Sequence, residues 1–276
     1  MKPSKRLVTR PLFLLGMPRS GTTWLSQIFE SSPDFIVRLS PNYSWEFKNR
    51  LDQNSSREEW ASSFSYALHA DDEFITQNFR RVTGELSTFP PRSMETVKRL
   101  AIKDTRFHDL YQRCMELFSD AQAIYLVRHP GGMLNSWWRS KEFPAQARFA
   151  DEWRGGACRK IEGPGEYWGF DDWRDLTMRF LALERQAPAR YRVCRYEELV
   201  RDRVRIASDL FEFAGCALRP ETLAFLEESE SRHDDRTYAV FKNPSVAERW
   251  RSELPEDIRE AIRAELAGTP LEDYAS

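Results

Sequence analysis

Two glycines, a threonine pair and an arginine follow the first apolar run of the chain at a spacing suited to binding an anion. Four residues separate Gly16 from Gly21, and Thr22 and Thr23 come next. Where such a loop joins a strand to a helix, the backbone N–H groups of the loop and of the first helical turn converge on one point and attract phosphate. Arg19 adds a cation inside the loop. The predicted chemistry is the binding of a phosphate-like group.

The loop differs from the phosphate loop of nucleoside triphosphatases at an important position. In the pattern Gly-x4-Gly-Lys-Ser/Thr the lysine reaches the β- and γ-phosphates; here Thr22 occupies that position and the cation is Arg19. A metal-binding aspartate would be expected at the end of a later apolar strand, but the run 124–127 ends in Arg128. Both differences argue against a metal site and against a kinase or NTPase, which stays an alternative.

A second cation and hydroxyl follow a later apolar run. Arg128 comes directly after the run 123–127, and Ser136 lies eight residues further on, inside the next predicted helix. Pro130 suits the first turn of that helix because its missing N–H would be unpaired there anyway. Ligands of α/β proteins bind at the carboxyl ends of parallel strands. The sequence therefore predicts two anion sites at one edge of a sheet.

The elements that must position these residues alternate along the chain. Short, continuous apolar runs are typical of strands buried on both faces of a parallel sheet. Strands are predicted at 12–16, 35–39, 100–103, 123–127 and 191–194. Helices are predicted at 22–30, 107–118, 131–140, 173–186, 204–214 and 255–267. The predicted fold class is α/β, a single P-loop-type domain with a central, mainly parallel sheet flanked by helices.

The expected domain organisation is a tail at 1–10 followed by one domain over 11–276. Within it, residues 42–93 are charged and aromatic with no clear strand, so helices and loops that cap the site are expected there. Residues 155–169 are rich in turn-forming glycine and proline, and 230–244 are polar without periodicity. Both are predicted to be loops.

Composition bounds the possible partners and the compartment. The 276 residues carry a formal charge of −2, which excludes the broad basic field of non-specific nucleic-acid binders. Four separated cysteines predict neither a disulfide framework nor a zinc site. No apolar run is long enough for a membrane span, and a cytoplasmic location is predicted. The sequons at Asn42 and Asn54 leave a lumenal location open, and no feature predicts an oligomeric state.

The segment from Pro18 to Leu25 resembles the 5′-phosphosulfate-binding loop of sulfotransferases that use PAPS (3′-phosphoadenosine 5′-phosphosulfate). The pair Arg128 and Ser136 is similar to the 3′-phosphate motif of the same family. The resemblance implies PAPS as co-substrate, PAP as product and no metal. It also implies a donor loop made of Arg19, Ser20, Gly21, Thr22 and Thr23, with Trp24 against the adenine.

Two further segments match the family more loosely. Residues 191–199 resemble a strand and following segment whose tyrosine lies near the adenine, which implies that role for Tyr196; a half-buried aromatic at a helix start is the alternative. Arg236 and Lys242 stand where the family has a basic loop that reaches the 3′-phosphate. The alternative for this pair is ordinary solvated charge.

Sulfuryl transfer also needs a cation beside the leaving phosphate and a base for the proton of the acceptor. Lys103 ends a predicted strand where the family has a lysine beside the bridging oxygen. Branches of the family take the base from a histidine after that lysine or from a glutamate after the loop helix. His108 and Glu46 are the two candidates, and Glu46 is favoured because aromatic neighbours would desolvate it.

The acceptor is expected to present a hydroxyl or an amine. Nine tryptophans favour a carbohydrate or glycolipid, because their faces suit sugar rings. A small phenol, a sterol or a peptide tyrosine would fit the same fold. A catalytically inactive nucleotide-binding protein is the remaining alternative.

Overall fold

One parallel sheet of five strands forms the centre of the computed structural model, which describes residues 9–44, 46–48, 50–160, 166–231 and 247–274. The strands are β1 (Leu12–Leu15), β2 (Phe35–Leu39), β3 (Arg99–Asp104), β4 (Gln122–Val127) and β5 (Tyr191–Arg195). Their order is β2-β3-β1-β4-β5, and every neighbouring pair is parallel. The predicted α/β class and the five predicted strands are confirmed.

Helices connect the strands and cover both faces of the sheet. The first half of the chain contains α1 (Thr22–Ser31), α2 (Arg57–His69), α3 (Glu73–Thr76), α4 (Asn78–Val82) and α5 (His108–Leu117). The second half contains α6 (Pro130–Trp138), α7 (Phe149–Glu152), α8 (Gly169–Gln186), α9 (Tyr196–Arg201), α10 (Arg203–Phe213), α11 (Pro220–Ser231), α12 (Trp250–Glu253) and α13 (Glu256–Leu266). The described part of 42–93 has helices and no strand, as predicted. Within the described ranges, every helix is too short or too polar to traverse a lipid bilayer.

The central strand shows why the sheet is buried on both faces. Successive side chains of a strand point to opposite faces, and Leu12 and Leu14 belong to one apolar cluster whereas Phe13 and Leu15 belong to the other. All four side chains are buried. A continuous apolar run is therefore what this position requires.

The strand order places one crevice at the carboxyl edge of the sheet. After β1 the chain passes to β2 on one side, and from β3 it crosses to β4 on the other side of β1. Such a reversal leaves a crevice beside the strand ends, where α/β proteins bind ligands. The residues that follow β1, β3, β4 and β5 therefore meet there.

Candidate active site

The loop after β1 turns sharply enough that two of its residues adopt left-handed backbone conformations. Gly21 has φ +91°, and Arg19 has φ +70°. A Cβ atom on Gly21 would lie 2.6 Å from the ring of Tyr196, which is closer than carbon atoms pack. Helix α1 begins at the next residue, Thr22. The close approach of Tyr196 makes glycine necessary here, beyond its freedom of φ.

Replacing Gly21 with alanine is expected to lower the free energy of unfolding by about 1–3 kcal/mol, because the variant combines an unfavourable φ with a clash. Denaturant titration measures this loss. Gly155→Ala is the matched control, since a Cβ there has no atom within 4 Å. In a Tyr196→Ala background the same Gly21 substitution should cost less than it does in the wild type, because the clashing ring is absent. An equal loss in the Gly155 and Gly21 variants would contradict the clash.

Arg19 connects the two predicted anion sites. Its Nε donates a hydrogen bond of 3.2 Å to Oγ of Ser136. Its carbonyl oxygen accepts one of 3.2 Å from the guanidinium of Arg128. A non-glycine residue at positive φ costs about 1–2 kcal/mol. Backbone strain of this kind occurs most often at functional sites, which makes Arg19 a candidate residue of the site.

The backbone strain at Arg19 can be measured by comparing two variants that both lose the cation. The free energy of unfolding of Arg19→Gly is expected to be about 1 kcal/mol higher than that of Arg19→Ala, because only glycine accepts φ +70° without strain. Chemical denaturation of the two proteins under one condition gives the difference. Equal stabilities would show that the loop relaxes when the side chain is removed.

Lys103 lies at the end of β3 with its side chain directed into the crevice. The residue is only 6% exposed, and its Nζ donates a hydrogen bond of 2.8 Å to Oγ1 of Thr23. Burial lowers the pKa of Lys103 to about 7, with further lowering by the charges of Arg80 and Arg19. The carboxylates of Asp104 and Glu142 act in the opposite direction. An incoming anion would restore the ammonium form.

Arg128 is held beside Tyr196, the aromatic residue that directly follows β5. Its guanidinium carbon lies 4.9 Å from the centre of the Tyr196 ring, and its carbonyl oxygen accepts a 2.8 Å hydrogen bond from the indole of Trp173. Trp24 meets Tyr196 edge-on, with ring centres 6.1 Å apart. Among the described residues, Nε of Arg128 and the indole N–H of Trp24 are buried without a hydrogen-bond partner. Unpaired buried donors suit a ligand that supplies acceptors.

The predicted anion-binding residues line one cavity of about 390 Å³. Those that line it are Arg19, Gly21, Thr22, Thr23, Trp24, Lys103, Arg128, Ser136 and Tyr196. Ser20 lies in the loop and is buried. Arg236 and Lys242 lie outside the described residues. The cavity therefore brings both predicted sites and Lys103 together.

The two base candidates lie elsewhere, and neither is among the described residues that line the cavity. The desolvated setting expected for Glu46 is not observed: its side chain is 53% exposed and pairs with Arg50 at 3.2 Å. His108 is buried, and its ring packs against Tyr125 and Tyr167. Burial and the charge of Arg179 lower its pKa to about 4. Both roles stay predictions without support from this geometry.

Several residues that line the cavity were missed by the sequence analysis. The charged ones are Arg80, Asp104, Arg106, Glu142, Arg159 and Arg203, and aromatic ones include Tyr43, Phe74, Phe79 and Trp168. Asp104 and Arg106 come shortly after Lys103 in sequence, so proximity to that lysine was an available signal. Glu142 had no such signal.

Among the described residues, no group of three or more His, Cys, Asp and Glu side chains is arranged to hold a metal ion.

A five-stranded parallel sheet with a strand–loop–helix turn and a cavity at its carboxyl edge defines the molecule as a parallel α/β protein. The model of the sulfotransferase family matches residues 11–220. The chain therefore belongs to the sulfotransferase family. It is 24% identical over 309 aligned residues to carbohydrate sulfotransferase 5 of Mus musculus, covering 88% of this chain and 75% of that protein.

Solved sulfotransferase structures share the fold. Mouse sulfotransferase SULT7A1 complexed with PAP matches 99% of this chain and 94% of its own, with a TM-score of 0.53 and 16% identity. The sulfotransferase domain from the curacin biosynthetic pathway matches 93% of this chain and 96% of its own, with a TM-score of 0.51 and 20% identity. The sulfotransferase from Alicyclobacillus acidocaldarius matches 94% of this chain and 92% of its own, with a TM-score of 0.51 and 15% identity.

Proposed function

We propose that this protein transfers a sulfuryl group from PAPS to a hydroxyl or amine by in-line displacement without a metal. The main support is the physical connection of the two anion sites, in which Arg19 bonds to Ser136 and Arg128 bonds to the Arg19 carbonyl. A nucleotide with phosphates at both its 5′ and its 3′ positions needs two such sites on one wall. The mouse SULT7A1 structure, complexed with PAP, is consistent with this donor.

The proposed roles on the donor follow from charge and position. Arg19, Thr22, Thr23 and the amides at the start of α1 would bind the 5′-phosphosulfate, while Arg128 and Ser136 would bind the 3′-phosphate. Trp24 and Tyr196 offer faces or edges to the adenine. The unpaired N–H groups of Trp24 and Arg128, and the cations around them, fit a polyanionic ligand.

Lys103 would stabilise the charge that develops on the leaving 5′-phosphate. Its hydrogen bond to Thr23 ties it to the donor loop. An ammonium group close to a bond that breaks stabilises the transition state more than the ground state, because the negative charge of the leaving oxygen grows as the bond lengthens.

Calorimetry with PAP, with AMP and with ADP plus Mg²⁺ tests the donor assignment. PAP is expected to bind most tightly, because only PAP occupies both anion sites. Tighter binding of ADP plus Mg²⁺ would contradict the proposal and favour the kinase or NTPase alternative. Binding of PAP without any transfer from PAPS would favour the inactive alternative. Transfer that continues in the presence of EDTA is expected if no metal takes part.

We propose a carbohydrate or glycolipid as acceptor, with residues 42–93 as the acceptor-facing insertion of a domain that spans 11–276. The likeness to carbohydrate sulfotransferase 5 supports the acceptor class. Tyr43, Phe74 and Phe79 of the insertion line the cavity, and Phe74 is 54% exposed, as expected of a surface that stacks on rings. In a panel of sugars, glycolipids and phenols, Phe74→Ala should raise the KM for sugars. A preference for phenols would overturn this acceptor class.

We propose a cytoplasmic location on the basis of the cysteines. All four are free thiols, which suits a reducing compartment. Labelling of thiols in the unfolded protein, purified from its native cells without reductant, should modify all four cysteines. Fewer than four labelled thiols would indicate disulfides and favour the lumenal alternative.

A further inference from the structure

Transfer to a hydroxyl requires a base within reach of the acceptor oxygen, and the described cavity wall offers only two carboxylates and no histidine. These carboxylates belong to Asp104 and Glu142. Resting on the function proposed above, we infer that Glu142 is the general base that takes the proton from the acceptor.

Asp104 is already committed to the local structure. Its Oδ1 accepts hydrogen bonds from the backbone N–H of Arg106 at 2.6 Å and of Phe107 at 3.2 Å, and from the hydroxyl of Tyr43 at 3.3 Å. Its Oδ2 is buried, so an acceptor oxygen does not reach it. Burial raises the pKa of Asp104. This carboxylate shapes the chain between β3 and α5 and is not placed for proton transfer.

Glu142 is anchored at the cavity by the turn that follows α6. Oγ of Ser140 donates to the carbonyl of Trp137 at 2.8 Å and accepts from the backbone N–H of Glu142 at 3.2 Å. The next residue, Phe143, packs its ring against Trp137 with centres 5.2 Å apart. Because this turn directly follows the helix that carries Ser136, Glu142 lies only a few residues along the chain from a proposed donor contact.

Glu142 lines the same cavity as Lys103 and Thr23. Lys103 is bonded to Thr23 on the side of the donor loop, where the bridging oxygen would leave. The charge of Glu142 raises the pKa of Lys103, so the carboxylate lies within electrostatic range of the lysine. In-line attack needs the base on the face of the sulfur opposite the leaving oxygen. Glu142 would act from that face of the bound donor.

The acceptor O–H bond breaks as its proton moves to the Glu142 carboxylate, and the acceptor oxygen forms a bond to the sulfur. The bond between the sulfur and the bridging oxygen breaks, and its electron pair stays on the 5′-phosphate of PAP. Protonated Glu142 then releases its proton to solvent. A base in this position contributes about 10²- to 10⁴-fold to the rate.

Glu142→Gln tests the inference, because the amide keeps the shape of the side chain and cannot take the proton. Transfer is expected to fall about 10²- to 10⁴-fold, with PAP affinity and the unfolding midpoint close to those of the wild type. Glu46→Gln and His108→Ala serve as the matched comparisons with the earlier base candidates. A wild-type rate for Glu142→Gln, or an equal loss in Glu46→Gln or His108→Ala, would overturn the assignment.

A series of acceptors separates proton abstraction from simple positioning. A more acidic acceptor needs less help from a base, so the deficit of Glu142→Gln should shrink from an aliphatic alcohol to a nitrophenol. A deficit that is constant across the series would assign Glu142 to positioning and overturn the inference. A wild-type protein that binds PAP but transfers to no acceptor, including water, would instead overturn the proposed function.

Discussion

Lys103→Met is expected to lower the transfer rate by about 10²- to 10³-fold, the range seen when one preorganised donor to a developing oxyanion is removed. The methionine preserves most of the apolar volume of this buried side chain, so packing changes little. PAP affinity should change much less than the rate, because the charge on the leaving oxygen grows in the transition state. Single-turnover rates with PAPS and calorimetry with PAP measure the two effects.

Two controls accompany the Lys103 variant. Lys103→Arg keeps a cation but carries a wider, planar group that does not fit the hydrogen bond to Thr23, so it should recover only part of the rate. Lys98 lies directly before β3, is half-exposed and pairs with Asp34. Lys98→Met therefore removes a lysine outside the cavity and should keep the wild-type transfer rate. A fully active Lys103→Met protein would contradict the role of leaving-group stabilisation.

The lowered pKa of Lys103 also predicts a direction for stability against pH. The folded pKa is about 7, below the ordinary value of 10.5, so between these two pH values the unfolded chain binds more protons than the folded chain. The contribution of Lys103 to the free energy of unfolding therefore rises with pH across that window and is constant outside it. The free energy of unfolding of the wild type, measured relative to that of Lys103→Met, should therefore increase as the pH rises from about 7 to 10.5.

Arg128→Met should weaken PAP binding by about 10- to 10²-fold, since hydrogen bonds to charged groups contribute about 1.5–3 kcal/mol. The guanidinium is positioned by the Tyr196 ring and by its bond to the Arg19 carbonyl. AMP lacks the 3′-phosphate, so its affinity should change far less. Comparing PAP and AMP on both proteins gives a cycle that isolates the 3′-phosphate contact.

The cycle also reports on secondary damage to the donor loop. Loss of the contact between Arg128 and the Arg19 carbonyl could loosen the loop, and that effect would lower the affinities for PAP and AMP equally. Ser136→Ala is the smaller companion change, since it removes one hydroxyl that bonds Arg19. An Arg128→Met protein that discriminates PAP from AMP as well as the wild type does would contradict the assignment of the 3′-phosphate.

Residues adjacent in sequence determined much of this protein. Short apolar runs, most of them continuous, identified all five strands, because a parallel strand covered on both faces favours apolar side chains. The loop from Gly16 to Thr23 was recognisable because its backbone geometry depends on a few consecutive residues. Arg128 and Ser136 were predicted to share a pocket because a strand end and the following helix fix their relation within eight residues.

Only the tertiary structure decided which acidic side chains line the described cavity wall. Glu46 and His108 were chosen by their distance along the chain from known motifs, yet one is on the surface and the other is within the core. Glu142 reaches the cavity through a turn after α6. The pKa of Lys103 depends on burial and on the charges of Arg80, Arg19 and Glu142, which come from three other segments. Burial and electrostatic fields arise from packing between distant segments, so no local pattern encodes them.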